Sequence, residues 1–173
     1  MTPFKSLIGA AILAAVSGTA FAGPQYLDDT GFAVSGYDVV AYHDLPQSPV
    51  GEAQVDAVPG RADITADYNG ATFAFSTEAN RDRFLEDPAA FAPAYDGHCA
   101  YGVSKGGKVP GNPNLWRIVD GTLYLNITPN VVNFWNEDIP GNLKLSEANW
   151  VDLEPADASD RAIPEFSSPA PIN

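Results

Sequence analysis

The stretch DGHCAYGVS, Asp96 to Ser104, places the single cysteine of the chain, Cys99, directly after one of its two histidines, His98. A thiolate and an imidazole are both ligands for zinc or copper. A neighbouring histidine can also lower the pKa of a thiol and make it a nucleophile. A free cysteine is, in addition, one of the residue types most often found buried. Three interpretations of Cys99 are therefore open: metal ligand, reactive thiol or buried structural residue.

A zinc or copper site needs three or four ligands. The other histidine, His43, is the third candidate beside Cys99 and His98. The chain has no second cysteine and so no C-x-x-C pair, which is the strongest signal of a structural zinc site. We expect copper or zinc as the ion, with Cys99 as the first ligand and His98 as the second. The alternatives are a thiol-dependent small-molecule or redox enzyme with Cys99 as its nucleophile, and a purely structural or interaction domain.

A second stretch rich in polar and aromatic groups is GYDVVAYHD, Gly36 to Asp44. The phenol groups of Tyr37 and Tyr42 and the carboxylate of Asp38 can line a pocket through hydrogen bonds. With Tyr101, which follows Cys99, they form our candidate set of residues that bind a small molecule or cofactor. The same tyrosines are equally compatible with the start of a strand.

The glycine-rich segment SKGGKVPGNP, Ser104 to Pro113, lacks the residue order of a phosphate-binding P-loop. We expect a solvated loop or a lid beside Cys99.

The first 22 residues have the pattern of a secretory signal peptide. Lys5 precedes a short apolar core, and the small residues of AFA precede Gly23. The core is shorter than the roughly 20 apolar residues that span a bilayer. We expect cleavage after Ala22, a periplasmic location and no membrane span in the processed chain.

The chain of 173 residues carries a net charge of −13. Such a surface repels nucleic acid and anionic lipid, which excludes both as expected partners. The remaining expected partners are a metal ion or a small molecule, a periplasmic protein, or a second copy of the chain in a homodimer.

Two stretches of the chain follow one plan at an offset of 51 residues, DYNGATFAFSTEANRDRFLEDP from Asp67 and IVDGTLYLNITPNVVNFWNEDI from Ile118. Asn-Gly and Asp-Gly are strong signals for a two-residue hairpin turn, and the threonine after each hairpin can cap a helix. The predicted strands are 63–68 and 71–75, then 116–119 and 122–126. The predicted helices are 77–86 and 128–137, with a shorter one near 142–148 and another starting near Cys99.

These elements predict an α+β fold in which a small antiparallel sheet from two β-hairpin–helix units carries helices packed on it. Duplication of one unit and coincidence between two common units are both compatible with the pattern. We expect an extended segment or strand at 31–44 and a loop at 45–63. Residues 23–153 form the predicted domain, and 154–173 a proline-rich tail that is extended or disordered.

Several of these motifs, in this order, resemble the YHS-domain family and in particular its small exported members. They are GYDVVAY from Gly36, the long run from Tyr68 to Gly106, LWRIVDGTLYLN from Leu115 and IPGNLKLSEANW from Ile139. The resemblance covers about Gly31 to Leu153.

The YHS resemblance implies a non-enzymatic binding module, since relatives are associated with copper-transport ATPases and with metal-sensing modules. In those relatives the metal-binding cysteines lie in the opening motif and after the second strand. The matching positions here, in GYDVVAY and FSTEAN, contain no cysteine. Cys99 is what matches the exported branch, whereas His43 is not part of the family pattern.

Overall fold

The computed structural model describes residues 23–173, and the predicted signal peptide lies outside them. Two short 3₁₀ helices, Val34–Gly36 and Ala41–Asp44, come first, and a third lies at Ala94–Gly97. The strands are β1 (Arg61–Tyr68), β2 (Ala71–Phe75), β3 (Asn112–Val119) and β4 (Thr122–Asn126). The helices are α1 (Glu78–Glu86), α2 (Pro88–Phe91), α3 (Ala100–Ser104), α4 (Pro129–Glu137) and α5 (Ile139–Leu153). Across 23–173, none of the helices has both the length and the apolar character needed to traverse a bilayer.

Both hairpins form where the sequence predicts them. β1 pairs with β2 and β3 with β4, each pair antiparallel. Asn69, Gly70, Asp120 and Gly121 all have positive φ, as a type I′ turn requires. The α+β class is confirmed, with the difference that each hairpin is a sheet of its own rather than part of one shared sheet.

The two hairpins share one hydrophobic core, which is what joins them in the absence of a common sheet. Phe73 and Phe75 of β2 lie in the same buried cluster as Leu123 and Leu125 of β4. Phe84 of α1 packs on both rings of β2, with centroids 5.0 Å from each. Burial of these large side chains supplies the main stabilisation of the fold.

The threonines predicted as helix caps serve as caps. The hydroxyl of Thr77 accepts from the backbone N–H of Asn80 at 3.1 Å, and that of Thr128 accepts from Val131 at 3.3 Å. The helix predicted near 142–148 is longer than expected, running from 139 to 153. Its early start follows from Asp138, whose carboxylate accepts from the N–H of Gly141 at 3.0 Å.

The two units correspond element by element. The bounds of β1 and β3, of β2 and β4, and of α1 and α4 all differ by 51 residues. Each hairpin also has a break in its register at the same place, between Arg61 and Thr65 in one and between Asn112 and Trp116 in the other. Duplication of one unit and coincidence between two common units both stay compatible with this correspondence.

The sequence predicts an extended segment or a strand at 31–44, and the strand alternative is wrong. Val34, Ser35 and Gly36, which form the first 3₁₀ helix, all have positive φ, and the second 3₁₀ helix follows at Ala41–Asp44. The buried carboxylate of Asp38 holds the second of these helices by accepting from the N–H groups of two following residues.

The last twenty residues contain no regular helix or strand, yet they pack on the domain. Ile163 and Ala170 are buried. Ile172 makes a parallel bridge to Arg61, with its N–H donating to Gly60 O at 2.8 Å. Packing therefore continues past residue 153.

Candidate functional site

Cys99 is fully buried, with 0% of its surface exposed. It precedes α3, and its sulfur accepts from the backbone N–H of Gly102 at 3.3 Å. Its S–H donates to Oδ1 of Asn126 at 3.5 Å. Burial raises the pKa of the thiol, and the backbone N–H groups around it only partly offset this. The sulfur thus acts as a helix cap, and its environment disfavours the thiolate that a metal site or a nucleophile needs.

His98 is also 0% exposed and lies against the rings of Tyr26 and Trp150. Its Nδ1–H donates to Tyr95 O at 2.9 Å, and its Nε2 accepts from the N–H of Ser159 at 3.3 Å. This pair of bonds fits the neutral ring with the proton on Nδ1. Burial lowers the pKa of His98 to about 4. Neither nitrogen has a lone pair left for a metal ion while these bonds persist.

The predicted set His43, His98 and Cys99 is not assembled. His98 and Cys99 both have extended backbone angles, so their side chains leave the chain on opposite sides. His43 packs edge-on against Phe91, with centroids 5.2 Å apart, and burial with nearby Arg83 lowers its pKa. Within residues 23–173, no three side chains of His, Cys, Asp or Glu are grouped in a way that suits a metal ion.

The predicted cofactor-binding residues have structural contacts instead. Tyr42 is buried and donates to Pro113 O at 2.9 Å, while Tyr37 is buried with Phe166 beside it. Tyr101 stacks on Phe134. Neither these three tyrosines nor Asp38, the fourth predicted residue, lines any of the three cavities described below.

Asp38, the fourth member of that set, connects the opening segment to the first hairpin–helix unit through hydrogen bonds. Its Oδ1 accepts from Val40 and Ala41, and its Oδ2 accepts from the N–H and hydroxyl of Ser76 at 2.8 and 2.6 Å. Asn80 Nδ2 donates to the same oxygen at 2.7 Å. This network saturates the carboxylate and leaves no oxygen for a ligand.

Two lysines fix the glycine-rich loop after Cys99 to the rest of the domain. Lys105 lies over the ring of Tyr101. Nζ of Lys108 donates to the backbone oxygens of Glu154 and Ala156 at 3.2 and 2.6 Å. These contacts favour a fixed loop over a lid.

A small cavity of about 70 Å³ lies where the loop before β1 folds over β3, β4 and α4. The loop is fastened to β3 by side chains of that strand. Nε1–H of Trp116 donates to Val55 O at 2.9 Å, and the guanidinium of Arg117 donates to Ser48 O and Pro49 O at 3.2 and 3.1 Å. The lining residues are Glu52, Ala53, Gln54, Asn114, Leu115, Trp116, Arg117, Asn126, Val132 and Trp135.

Two groups that line this cavity lack a usual partner. Trp135 of α4 is 1% exposed, and its Nε1 is buried without a hydrogen bond. Arg117 is 8% exposed, and desolvation alone lowers its pKa. None of the three ion pairs among residues 23–173 includes Arg117, although Glu52 lines the same cavity. The cavity is therefore lined by a cation without an ion pair and by a tryptophan whose buried N–H has no acceptor.

Two other cavities are larger, at about 450 and 510 Å³, and the tail lines part of each. The lining of the first includes Asp28, Asp29, Asp160 and Arg161, and that of the second includes Thr128 and Glu165. None of the buried polar atoms without a partner in residues 23–173 belongs to their linings. The small cavity at Trp135 is therefore the better candidate site.

Arg117 and Trp135 are absent from the residues that the sequence predicts for the site. Arg117 does carry a signal, because it stands between apolar residues in LWRIV and is one of only nine cations in the chain. Trp135 carries none, since an aromatic residue on the apolar side of a helix is the usual core pattern.

Comparison of the chain with family models, with curated proteins and with solved structures finds no match. The YHS resemblance thus stays an interpretation of the motifs.

Proposed function

We propose that this protein is an exported, non-enzymatic binding module that holds a small carboxylate in the cavity at Trp135. One observation carries the proposal: Arg117, a nearly buried cation without an ion pair, and Trp135, whose buried N–H has no acceptor, line the same cavity.

The charge of Arg117 selects the ligand class. Taking a cation out of water without a counterion is costly, and an unsatisfied buried N–H adds a further cost. A carboxylate removes both costs, because it supplies the negative charge and can accept from guanidinium and indole N–H groups. A neutral amide would satisfy the N–H of Trp135 but would leave Arg117 uncompensated.

The volume limits the size of the ligand. Drug-sized pockets occupy about 300–1,000 Å³, whereas this cavity has about 70 Å³. That space suits a ligand the size of formate or acetate. The best small ligands gain at most about 1.5 kcal/mol per non-hydrogen atom, so acetate should bind no tighter than roughly tens of micromolar.

The environment of Cys99 supports binding rather than catalysis. A thiol-dependent enzyme needs an accessible sulfur with a lowered pKa, whereas Cys99 is buried with a raised pKa. The enzyme alternative is tested by alkylation of the native protein against pH. We expect labelling only at the rate of unfolding, and rapid native labelling with a midpoint below about 8.5 would favour the enzyme.

Copper or zinc binding through Cys99 and His98 stays a prediction of the sequence. It would require both residues to leave their present hydrogen bonds. Titration with Cu(I) and Zn(II), with and without Cys99→Ala, tests it directly. Affinity tighter than micromolar that disappears with the thiol would support the metal site, and binding that is indifferent to the substitution would remove it.

The carboxylate proposal is tested by ligand-dependent stability, because a ligand that binds the folded state raises the unfolding midpoint. The purified protein is unfolded in urea with sodium acetate, and separately with sodium chloride of equal ionic strength or with acetamide. We expect acetate alone to raise the midpoint, the rise to be lost in Arg117→Gln and reduced in Trp135→Phe. Trp150→Phe, a matched change outside the cavity, should keep it. Equal midpoints in acetate, chloride and acetamide would contradict the proposal.

A further inference from the structure

Asp96 is a buried carboxylate that is only half satisfied. It is 7% exposed and lies in the 3₁₀ helix Ala94–Gly97. Its Oδ1 accepts from Nε2 of Gln25 at 2.7 Å, and its backbone oxygen accepts from the N–H of Tyr26 at 2.9 Å. Its Oδ2 is buried and has no hydrogen-bond partner in residues 23–173. A carboxylate oxygen in this state is destabilising unless a donor reaches it.

The charged groups that face Asp96 do not supply that donor. Lys108 attracts the carboxylate, but its Nζ donates to the backbone oxygens of Glu154 and Ala156 and makes no ion pair with Asp96. The carboxylate of Glu154 repels Asp96. Burial is the largest effect, and it raises the pKa of Asp96 to about 6. The group is therefore a carboxylate without a cation in contact.

Gly23 lies directly beside the unsatisfied oxygen. A Cβ atom built on Gly23 would be 3.0 Å from Oδ2 of Asp96 and in collision with the backbone oxygen of Glu154. A Cβ lies about 1.5 Å from its Cα and about 2.5 Å from the backbone nitrogen of its own residue. The nitrogen of Gly23 is therefore within about 5.5 Å of Oδ2. Only glycine fits here, because any side chain would meet that backbone oxygen.

We propose that hydrolysis of the Ala22–Gly23 peptide bond creates an α-ammonium group at Gly23 that pairs with Oδ2 of Asp96. Water is the co-reactant: its hydroxyl group joins the carbonyl carbon of Ala22, and its proton goes to the nitrogen of Gly23. The new amine has an ordinary pKa of about 7.7–8.0, so it takes up a further proton at neutral pH. The backbone oxygen of Glu154 is a second acceptor for it.

This pairing depends on the predicted leader cleavage and is independent of the carboxylate site at Trp135. Before cleavage the nitrogen of Gly23 is an uncharged amide with one hydrogen. After cleavage it carries three hydrogens and a full charge, and the ion pair with Asp96 links the start of the processed chain to the turn before Cys99. Processing therefore stabilises the folded domain.

The test uses the full chain, exported to the periplasm of a bacterial host and purified from it. Mass spectrometry should give a chain that begins at Gly23, and another start would overturn the proposal. NMR titration of the α-amino group then gives its pKa. We expect a value at least one unit above its ordinary range, and an ordinary value would overturn the pairing.

Matched variants locate the partner. Asp96→Asn should return the α-amino pKa to its ordinary range and should make the amine open to acetylation at pH 7. Asp29→Asn removes an exposed carboxylate from the segment that begins at Gly23. This variant should leave both the α-amino pKa and the acetylation unchanged. If Asp96→Asn does not fold, the pKa of Asp96 in the wild-type protein decides. A value below its ordinary range of about 3.9 supports the pair, and a value near 6 contradicts it.

Discussion

Cys99 lies ahead of the second hairpin in a position equivalent to that of Asp38 ahead of the first. The N–H of Asp38 donates to Val58 O at 2.9 Å, and that of Cys99 donates to Val109 O at 2.8 Å. Each side chain then accepts a hydrogen bond from the backbone N–H three residues later, at 3.1 Å for Asp38 and 3.3 Å for Cys99. The lone thiol thus stands where the other unit uses a carboxylate cap.

A capping role predicts which substitutions Cys99 tolerates. Serine is a preferred cap, so Cys99→Ser should change the free energy of unfolding by less than about 0.5 kcal/mol, whereas Cys99→Ala should lose about 1–2 kcal/mol. Urea unfolding followed by circular dichroism measures both. Greater damage from serine than from alanine would show that packing of the sulfur, and not capping, governs this position.

Because His98 is buried as a neutral ring, we expect the folded protein to lose stability in mild acid. Its pKa is lowered to about 4 in the folded protein, against an ordinary value of about 6.5. The unfolded chain therefore binds more protons between these values, so the contribution of the neutral ring is complete above pH 6.5 and is lost as the pH falls towards 4. At about 1.4 kcal/mol per pKa unit the loss is roughly 3 kcal/mol.

The measurement for His98 is the free energy of unfolding at several pH values between 7.5 and 4, for the wild type and for His98→Gln. The difference between the two isolates His98, because every other titrating group is shared. The titration of Asp96, which both proteins share, therefore cancels in this comparison. Parallel curves for the two proteins would contradict the assignment.

We expect position 111 to tolerate no side chain larger than that of glycine. A Cβ there would lie 2.6 Å from Cβ of Leu125 and 2.7 Å from Gly97 O. Gly111→Ala must therefore displace β3 from β4 and should cost about 1–3 kcal/mol. Gly107→Ala, in the same loop, meets only Gly102 O at an ordinary 3.5 Å and serves as the control. Equal thermal midpoints for the two variants would show that β3 moves freely.

The hairpins and their helices follow from local chemistry, which is why the sequence predicts them well. Asn-Gly and Asp-Gly set both turns, and Thr77 and Thr128 start the helices. The segment around Asp38 resists such analysis, because its conformation depends on Ser76 and Asn80, which are distant in sequence. A carboxylate with long-range partners has no signature in the residues next to it.

The candidate site is harder to predict from the sequence than the fold is. It forms only when the loop before β1 returns to β3, where Arg117 and Trp116 hold its backbone. His98 and Cys99 are adjacent in sequence, and this adjacency suggested a shared ligand. An extended backbone separates their side chains, and a count of chemically active residue types does not detect this.

The most direct test of the account is the indole N–H region of the NMR spectrum, where the three tryptophans of the chain give three resonances. Trp135→Phe assigns the relevant peak. Titration with sodium acetate at constant ionic strength should shift that peak saturably, and acetamide should leave it in place. A Trp135 resonance that stays fixed through 50-millimolar additions, about 1,000 times the tightest dissociation constant that the ligand size allows, would contradict carboxylate binding in this cavity.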